Sequence, residues 1–265
     1  MKDNSKIYEI SKKLNNYTRK LLYSRYIVIF VICFITFVTI LSFIPFFFME
    51  SPIADKTLND WQGENRAWIM YSWFGIALFS SIVGILGDVF IHRNNKLCFI
   101  FYFIFIFIYF LNGVILHLWY ETFQQFLVLG IVIVACLNWG KESEGTLTPI
   151  RKQNHFYLFL VIVIVLILTF ILGITMNKIL GESVFADPAS YLDAFILLTF
   201  IGGWLLMTKK YLSAYLLYFL CTIATLVLYI EFNAWIYVAT NIIYIGLYII
   251  GFSNWIQLYY EQKIN

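Results

Sequence analysis

The chain has 265 residues, of which 62% are hydrophobic, 20% aromatic and only 12% charged, with a formal net charge of +3. Soluble domains run near half apolar and a quarter charged, so this composition excludes an ordinary soluble domain, and so small a net charge gives no electrostatic footprint for nucleic acid. The four cysteines, Cys33, Cys98, Cys136 and Cys221, sit inside apolar runs without a CxxC pair or a histidine cluster, which supports neither a disulfide framework nor a metal site.

Residues 1–25 form a basic tail. Within it Ile7, Ile10, Leu14, Tyr17 and Leu21 recur at helical spacing among lysines. Two readings stand: a short helix lying on the inner leaflet, or a solvated tail that only sets topology. Eight apolar segments follow, at about 26–48, 68–91, 97–118, 122–140, 156–178, 190–208, 211–230 and 234–257. Runs of roughly 18 or more apolar residues read as membrane spans. The first, 26–48, exceeds the apolar core of a cleaved signal peptide and ends in "FFFMES", so it reads as a retained helix. Only helices or closed barrels satisfy their backbone in hydrocarbon, and these runs are too long for barrel strands. The expectation is an all-α integral membrane protein with eight transmembrane helices.

The connections fix the orientation. The side holding the tail carries 15 basic residues, including Arg93, Lys96, Lys141, Arg151, Lys152, Lys209, Lys210 and Lys263; the other carries only Lys56, Arg66 and Lys178. The positive-inside rule puts both termini in the cytoplasm, as an even span count also requires.

Two stretches echo each other. "ACLNWGKE" (Ala135 to Glu142) and "GFSNWIQL" (Gly251 to Leu258) each close an apolar run with Asn-Trp. Trp139 and Trp255 are 116 positions apart. At that gap-free offset Phe79/Phe195, Gly87/Gly203, Tyr102/Tyr218, Trp119/Trp235, Gly130/Gly246 and Asn138/Asn254 coincide, and Arg93 meets Lys209. This predicts two three-helix repeats, 68–140 and 190–257, joined by a linker helix at 156–178 and preceded by an extra N-terminal helix at 26–48. Four spans separate equivalent positions, so the repeats are parallel, one of the two repeat designs of transporters. Gly130 and Gly246 fall mid-helix, where glycine permits bending or close helix packing. Each Asn-Trp taken alone reads as an interfacial anchor.

Polar side chains inside spans face other helices or a cavity. The seventh segment carries Tyr211, Tyr215, Tyr218, Thr222, Thr225 and Tyr229; the eighth carries Tyr237, Asn241, Tyr244, Tyr248, Gly251 and Trp255. Both step 4, 3, 4, 3, 4, one helical face each. Such faces line either a cavity of phenols, hydroxyls and an amide, able to stack on flat heterocycles or hold a cation, or a dry interface bonded across helices. Tyr211, Tyr229, Tyr237 and Trp255, near the ends, read as belt residues. In the first repeat Trp73, Tyr102, Tyr109, Asn112, Gln124 and Gln125 are further candidates.

Asp88 and Asp193 are the acids within spans, each about a turn from an expected end. There a carboxylate is solvated or caps a helix; a proton-coupling carboxylate belongs nearer the centre. His92, His117 and His155 lie at span ends or in loops, and no Ser-His-Asp order, HExxH or P-loop occurs. Catalysis, ATP hydrolysis and a cofactor therefore have no support in the sequence.

The stretch "YLDAFILLTFIGGWLLMTKKYLSAYLLYFL", Tyr191 to Leu220, resembles the PnuC family of bacterial vitamin transporters. The matching pieces are Leu192-Asp193-Ala194, Leu206-Met207-Thr208-Lys209-Lys210-Tyr211 and Gly251-x-x-Asn254-Trp255, with fainter counterparts in Leu118-Trp119-Tyr120-Glu121 and Leu137-Asn138-Trp139. The resemblance implies a SWEET-like 3+1+3 architecture in the bacterial inner membrane. It also implies import of nicotinamide riboside by facilitated diffusion, with trapping by a separate cytoplasmic kinase. Relatives move thiamine, riboflavin or nucleosides, and siblings often assemble as homo-oligomers. The sequence departs from the family at the site. The family's W-x-x-W-x-x-x-N positions hold Tyr215, Tyr218 and Thr222, a glutamine is replaced by Trp204, and an asparagine by Leu247. Aromatic character survives while much amide hydrogen bonding does not. The resulting expectation has Tyr215 and Tyr218 stacking on the substrate ring and Trp204 closing one wall. Thr222 and Asn241 hydrogen-bond its substituents, and Tyr244, Tyr102 and Gln125 complete the lining. The partners are then a vitamin or nucleoside and the lipid bilayer. A sensor or assembly subunit on the same scaffold is the competing expectation.

Overall fold

A computed structural model describes residues 66–115, 119–140, 149–179, 188–231 and 235–264, with scattered positions between 20 and 36. The basic tail and the first expected span, 26–48, thus lie wholly or largely outside the described residues. So do the side chains of Trp73, Asn112, Trp119 and Trp235. The remainder is helical: α1 (Arg66–His92), α2 (Cys98–Ile115), α3 (Trp119–Gly140), α4 (His155–Ile179), α5 (Pro188–Met207), α6 (Ala214–Glu231) and α7 (Trp235–Ile264). Among the described residues, stretches of α4 to α7 are each long and apolar enough to cross a bilayer, and the apolar stretches of α1 to α3 are shorter. Proline opens α5 at the position where its missing N–H costs nothing.

The chain order of packing is simple. Helix α2 packs on α1 and α3; α6 packs on α5 and α7; α4 lies on α5. The two triplets meet through α1 against α7 and α3 against α5, contacts that interchange when the triplets are swapped. Helix α4 turns Phe156, Phe159, Ile164, Ile167 and Phe170 outward, the face a hydrocarbon surround requires. Within the bundle the core is unusually aromatic: Tyr102, Trp139, Trp204, Tyr215, Tyr218, Tyr248 and Trp255 share one buried cluster.

The 116-residue offset reappears in contacts. The indole N–H of Trp139 donates to the Met207 carbonyl at 3.3 Å, and that of Trp255 to the Ile91 carbonyl at 3.2 Å; the two acceptors are themselves 116 apart. Helices α1 and α5 end alike. Asn95 N–H bonds Phe90 O and Asn94 N–H bonds Ile91 O, while Tyr211 N–H bonds Leu206 O and Lys210 N–H bonds Met207 O. These are the paired 6→1 and 5→2 bonds of a Schellman stop. The left-handed residue each needs is Asn94 (φ 54°) in one and Lys210 (φ 55°) in the other.

The tryptophans therefore correct the sequence reading. They are buried, 1% and 0% exposed, rather than anchored at an interface. A carbonyl oxygen has two lone pairs, and each indole supplies a second donor to a carbonyl that already accepts its Schellman bond. Lys210 is buried as well, its ammonium 4.3 Å from the Trp139 ring centre. The same end of the bundle is tied together by the connections: Arg151 N–H bonds Lys210 O, Leu212 N–H bonds Arg151 O, and Ser213 Oγ donates to Gln153 Oε1 at 2.5 Å. This pairing delays α6 until Ala214, so Tyr211 lies in the connection instead of on the helical stripe.

Gly130 and Gly246 are a second correction, because no neighbour lies within 4 Å of where a Cβ would stand; they are not packing glycines. Close approach occurs instead at Gly87 against the Tyr102 ring, Gly203 against the Tyr218 ring and Gly251 against His92, where a Cβ would overlap the imidazole. Gly130→Ala and Gly246→Ala are expected to keep or raise the melting temperature in detergent, since alanine is favoured by about 1 kcal/mol in a helix. Gly251→Ala is expected to lower it, by an overpacking cost of about 1–3 kcal/mol. Equal melting of all three variants would contradict the close His92 contact.

Candidate functional site

Five helices each contribute one side chain to a closed circuit. Asp88 on α1 accepts a hydrogen bond from the Tyr102 hydroxyl on α2. The Tyr102 ring meets the Trp204 ring on α5 edge-to-face, with centroids 4.6 Å apart. Trp204 meets Tyr218 on α6 in the same manner at 6.2 Å. Tyr218 stacks on Tyr248 of α7 at 5.5 Å and 20°. Tyr248 returns to hydrogen-bond the Asp88 carboxyl. All five are buried, none more than 9% exposed. Gly87 and Gly203, by lacking side chains, admit the Tyr102 and Tyr218 rings against α1 and α5.

The circuit lies where α1–α2 meets α5–α7, so it straddles the two triplets. Toward the Schellman-capped end it continues into His92, whose Nδ1 lies 2.9 Å from the Tyr215 hydroxyl and whose ring stands edge-on to Tyr248. Tyr215 in turn packs on Trp255. In the other direction Tyr244 stacks on Tyr248 at 6.0 Å and 9°, its hydroxyl reaching the space beside Gly84.

Of the residues expected at the site, Tyr102, Trp204, Tyr215, Tyr218 and Tyr244 are brought together. Thr222 follows one turn after Tyr218, and its hydroxyl donates to the Tyr218 carbonyl at 2.8 Å. Asn241 is buried but donates its amide to Tyr237 O at 2.8 Å. The Thr222 hydroxyl and one Asn241 amide donor are thus used within their own helix. Gln125 is buried on α3, at the position equivalent to Asn241 by the 116 offset. Tyr109 packs on Phe105 of its own helix, and Gln124 is half-buried.

Asp88 is the residue the sequence reading places wrongly, and His92, at the end of α1 as expected, is more deeply buried than an end position implies. Asp88 is 6% and His92 1% exposed, neither solvated nor in a loop, whereas Asp193 is exposed. A signal is present: Ser81, Gly84, Asp88 and His92 step 3, 4, 4 along α1, one helical face. That face meets the α7 stripe, with Ser81 and Thr240 hydroxyls 3.5 Å apart. Tyr248, a member of the stripe outside the expected site, is the hinge of the circuit.

The chemistry of this arrangement is recognition. Among the described residues, the buried polar atoms without a hydrogen-bond partner in the protein include the Tyr218 hydroxyl, Trp204 Nε1, His92 Nε2 and Gln125 Oε1. Buried polar groups are seldom left so. Edge-on and stacked rings with spare donors suit a flat, polar-edged ligand.

A helical bundle with apolar outer faces and an inward aromatic-polar centre is a multi-pass membrane protein of the kind that handles small molecules. The family model described as nicotinamide mononucleotide transporter matches residues 72–257, and the chain belongs to that family, in keeping with its PnuC-like motifs. Its fold is similar to a crystal structure of the vitamin B3 transporter PnuC, with a TM-score of 0.61 and 17% identity, covering 90% of this chain and 94% of that one. No curated protein matches the sequence.

Proposed function

We propose that the protein admits nicotinamide riboside across the bacterial cytoplasmic membrane by facilitated diffusion, both termini inside, with a separate kinase trapping the product. The two triplets act as parallel repeats joined by α4 and rock about the circuit. The observation that carries this is the closed circuit of Asp88, Tyr102, Trp204, Tyr218 and Tyr248 at the seam between triplets. Midplane binding between repeats is the transporter arrangement. The riboside suits the site better than its 5′-phosphate, because a carboxyl faces the rings and would repel a phosphate.

Uptake of radiolabelled nicotinamide riboside, the mononucleotide, thiamine and riboflavin into proteoliposomes tests the reading. Saturable entry of the riboside is expected, equilibrating without an ion gradient. Entry of none of the four by folded protein would sink it, and entry of thiamine or riboflavin alone would move the substrate within the vitamin class. A non-transporting sensor or subunit is favoured by one observation: Thr222 uses its hydroxyl donor and Asn241 one of its amide donors within their own helices. Cysteines placed at 218 and 244, with the native ones replaced, separate the two readings. Labelling by a water-soluble reagent is expected for a transporter, and protection at both positions for a dry interface.

A further inference from the structure

We infer that Asp88 is the counter-ion for a positively charged heteroaromatic ring, so that the site selects N-substituted cationic heterocycles over neutral ones of the same shape. The inference rests on the transport reading above and adds to it the charge of the substrate and the residue that senses that charge.

A carboxyl within a membrane helix is costly and marks function by default. Asp88 is buried, and among the described residues no lysine or arginine pairs with it. The titratable groups around it are Cys98 and Tyr102 of α2, Tyr215 and Tyr218 of α6, and Tyr244 and Tyr248 of α7. None of these is a cation. His92, one turn along α1, has Nδ1 engaged with Tyr215. The Tyr102 and Tyr248 hydroxyls donate hydrogen bonds to the carboxyl but bring no positive charge to it. A positive partner is therefore what the described residues leave out.

The surroundings describe that partner. Ring faces attract cations, and aromatic cages are the usual recognition device for quaternary nitrogen. Here Tyr102, Trp204, Tyr218 and Tyr248 complete the circuit with Asp88, with walls near right angles at Trp204 (84° and 85°). A bare proton on Asp88 would need none of these rings. Nor would it need the spare donors at Tyr218 and Trp204, which are placed for the ring substituents and hydroxyls of a larger ligand. At the 116 offset the counterpart of Asp88 is Trp204. One half of the bundle thus presents a carboxyl where the other presents an aromatic wall, and Tyr102 touches both.

The test is calorimetric binding to the purified full chain with nicotinamide riboside and its reduced, uncharged dihydro form. The unaltered protein is expected to prefer the cation. Asp88→Asn is expected to weaken the cation by roughly 10–100-fold, the range of hydrogen bonds and contacts to charged groups, with little change for the neutral form; Asp88→Glu retains the preference. Equal binding of the cation by Asp88→Asn and the unaltered protein would overturn the inference while the transport reading stands. Equal affinity of the unaltered protein for both forms would overturn it too, and that comparison decides the matter even where Asp88→Asn does not fold. Binding of neither form would remove the transport reading, and the inference with it.

Discussion

Tyr218→Phe is expected to lower saturable uptake of the substrate by about 10-fold or more while leaving the melting temperature unchanged or slightly higher. The two halves of this expectation come from one atom. The Tyr218 hydroxyl is buried without a hydrogen-bond partner in the protein, and such a group costs the fold free energy instead of supporting it. Its removal should therefore relieve the fold. The ring itself is retained, along with its stack on Tyr248 and its edge contact with Trp204. A loss of transport without a loss of stability then assigns the hydroxyl to the substrate, the 10-fold effect corresponding to about 1.4 kcal/mol, within the range of a hydrogen bond. Tyr218→Ala goes further. It breaks the circuit and is expected to abolish saturable uptake, with correct folding checked by size exclusion. Tyr218→Phe transporting at the original rate would take the hydroxyl out of the site.

Trp139→Ala and Trp255→Ala are expected to be the most destabilising single changes in the described bundle, by about 3–5 kcal/mol each for a buried large-to-small aromatic substitution. Both side chains are among the largest fully buried groups. Each removes an indole donor from the last turn of the opposite triplet: Trp139 from Met207, Trp255 from Ile91. Trp139 also supports the Lys210 ammonium, and Trp255 packs on Tyr215. Tryptophan-to-phenylalanine changes keep most of the packing and should cost about 1 kcal/mol for the lost hydrogen bond. Unfolding followed in detergent measures both series. The pair should respond alike, because the two sites are the same contact 116 residues apart; a tolerant Trp139 beside an intolerant Trp255 would argue against equivalent roles.

The stripe Tyr215, Tyr218, Thr222 on α6 is legible in the sequence alone, because helical period places residues 3 and 4 apart on one face. The corresponding face of α1, with Asp88 and His92, has the same spacing, yet a single carboxyl near a helix end looks the same whether its neighbour is water or a tyrosine. The Asn-Trp echo is legible as a 116-residue spacing, but an amphipathic indole suits a lipid headgroup as well as a neighbouring carbonyl. Gly130 and Gly246 likewise match in register, and register says nothing about what stands opposite a missing side chain.

By itself, then, the sequence determined the class: long apolar runs leave only helices as a way to satisfy the backbone in lipid. Which faces meet was decided only by the tertiary structure. Lipid tails and buried side chains are equally apolar, so hydropathy cannot tell a lipid-facing stripe from an interhelical one. The α1–α7 and α3–α5 contacts settle it. They turn Asp88 inward to Tyr102 and Tyr248, and they take Trp139 and Trp255 out of the interface and into the core.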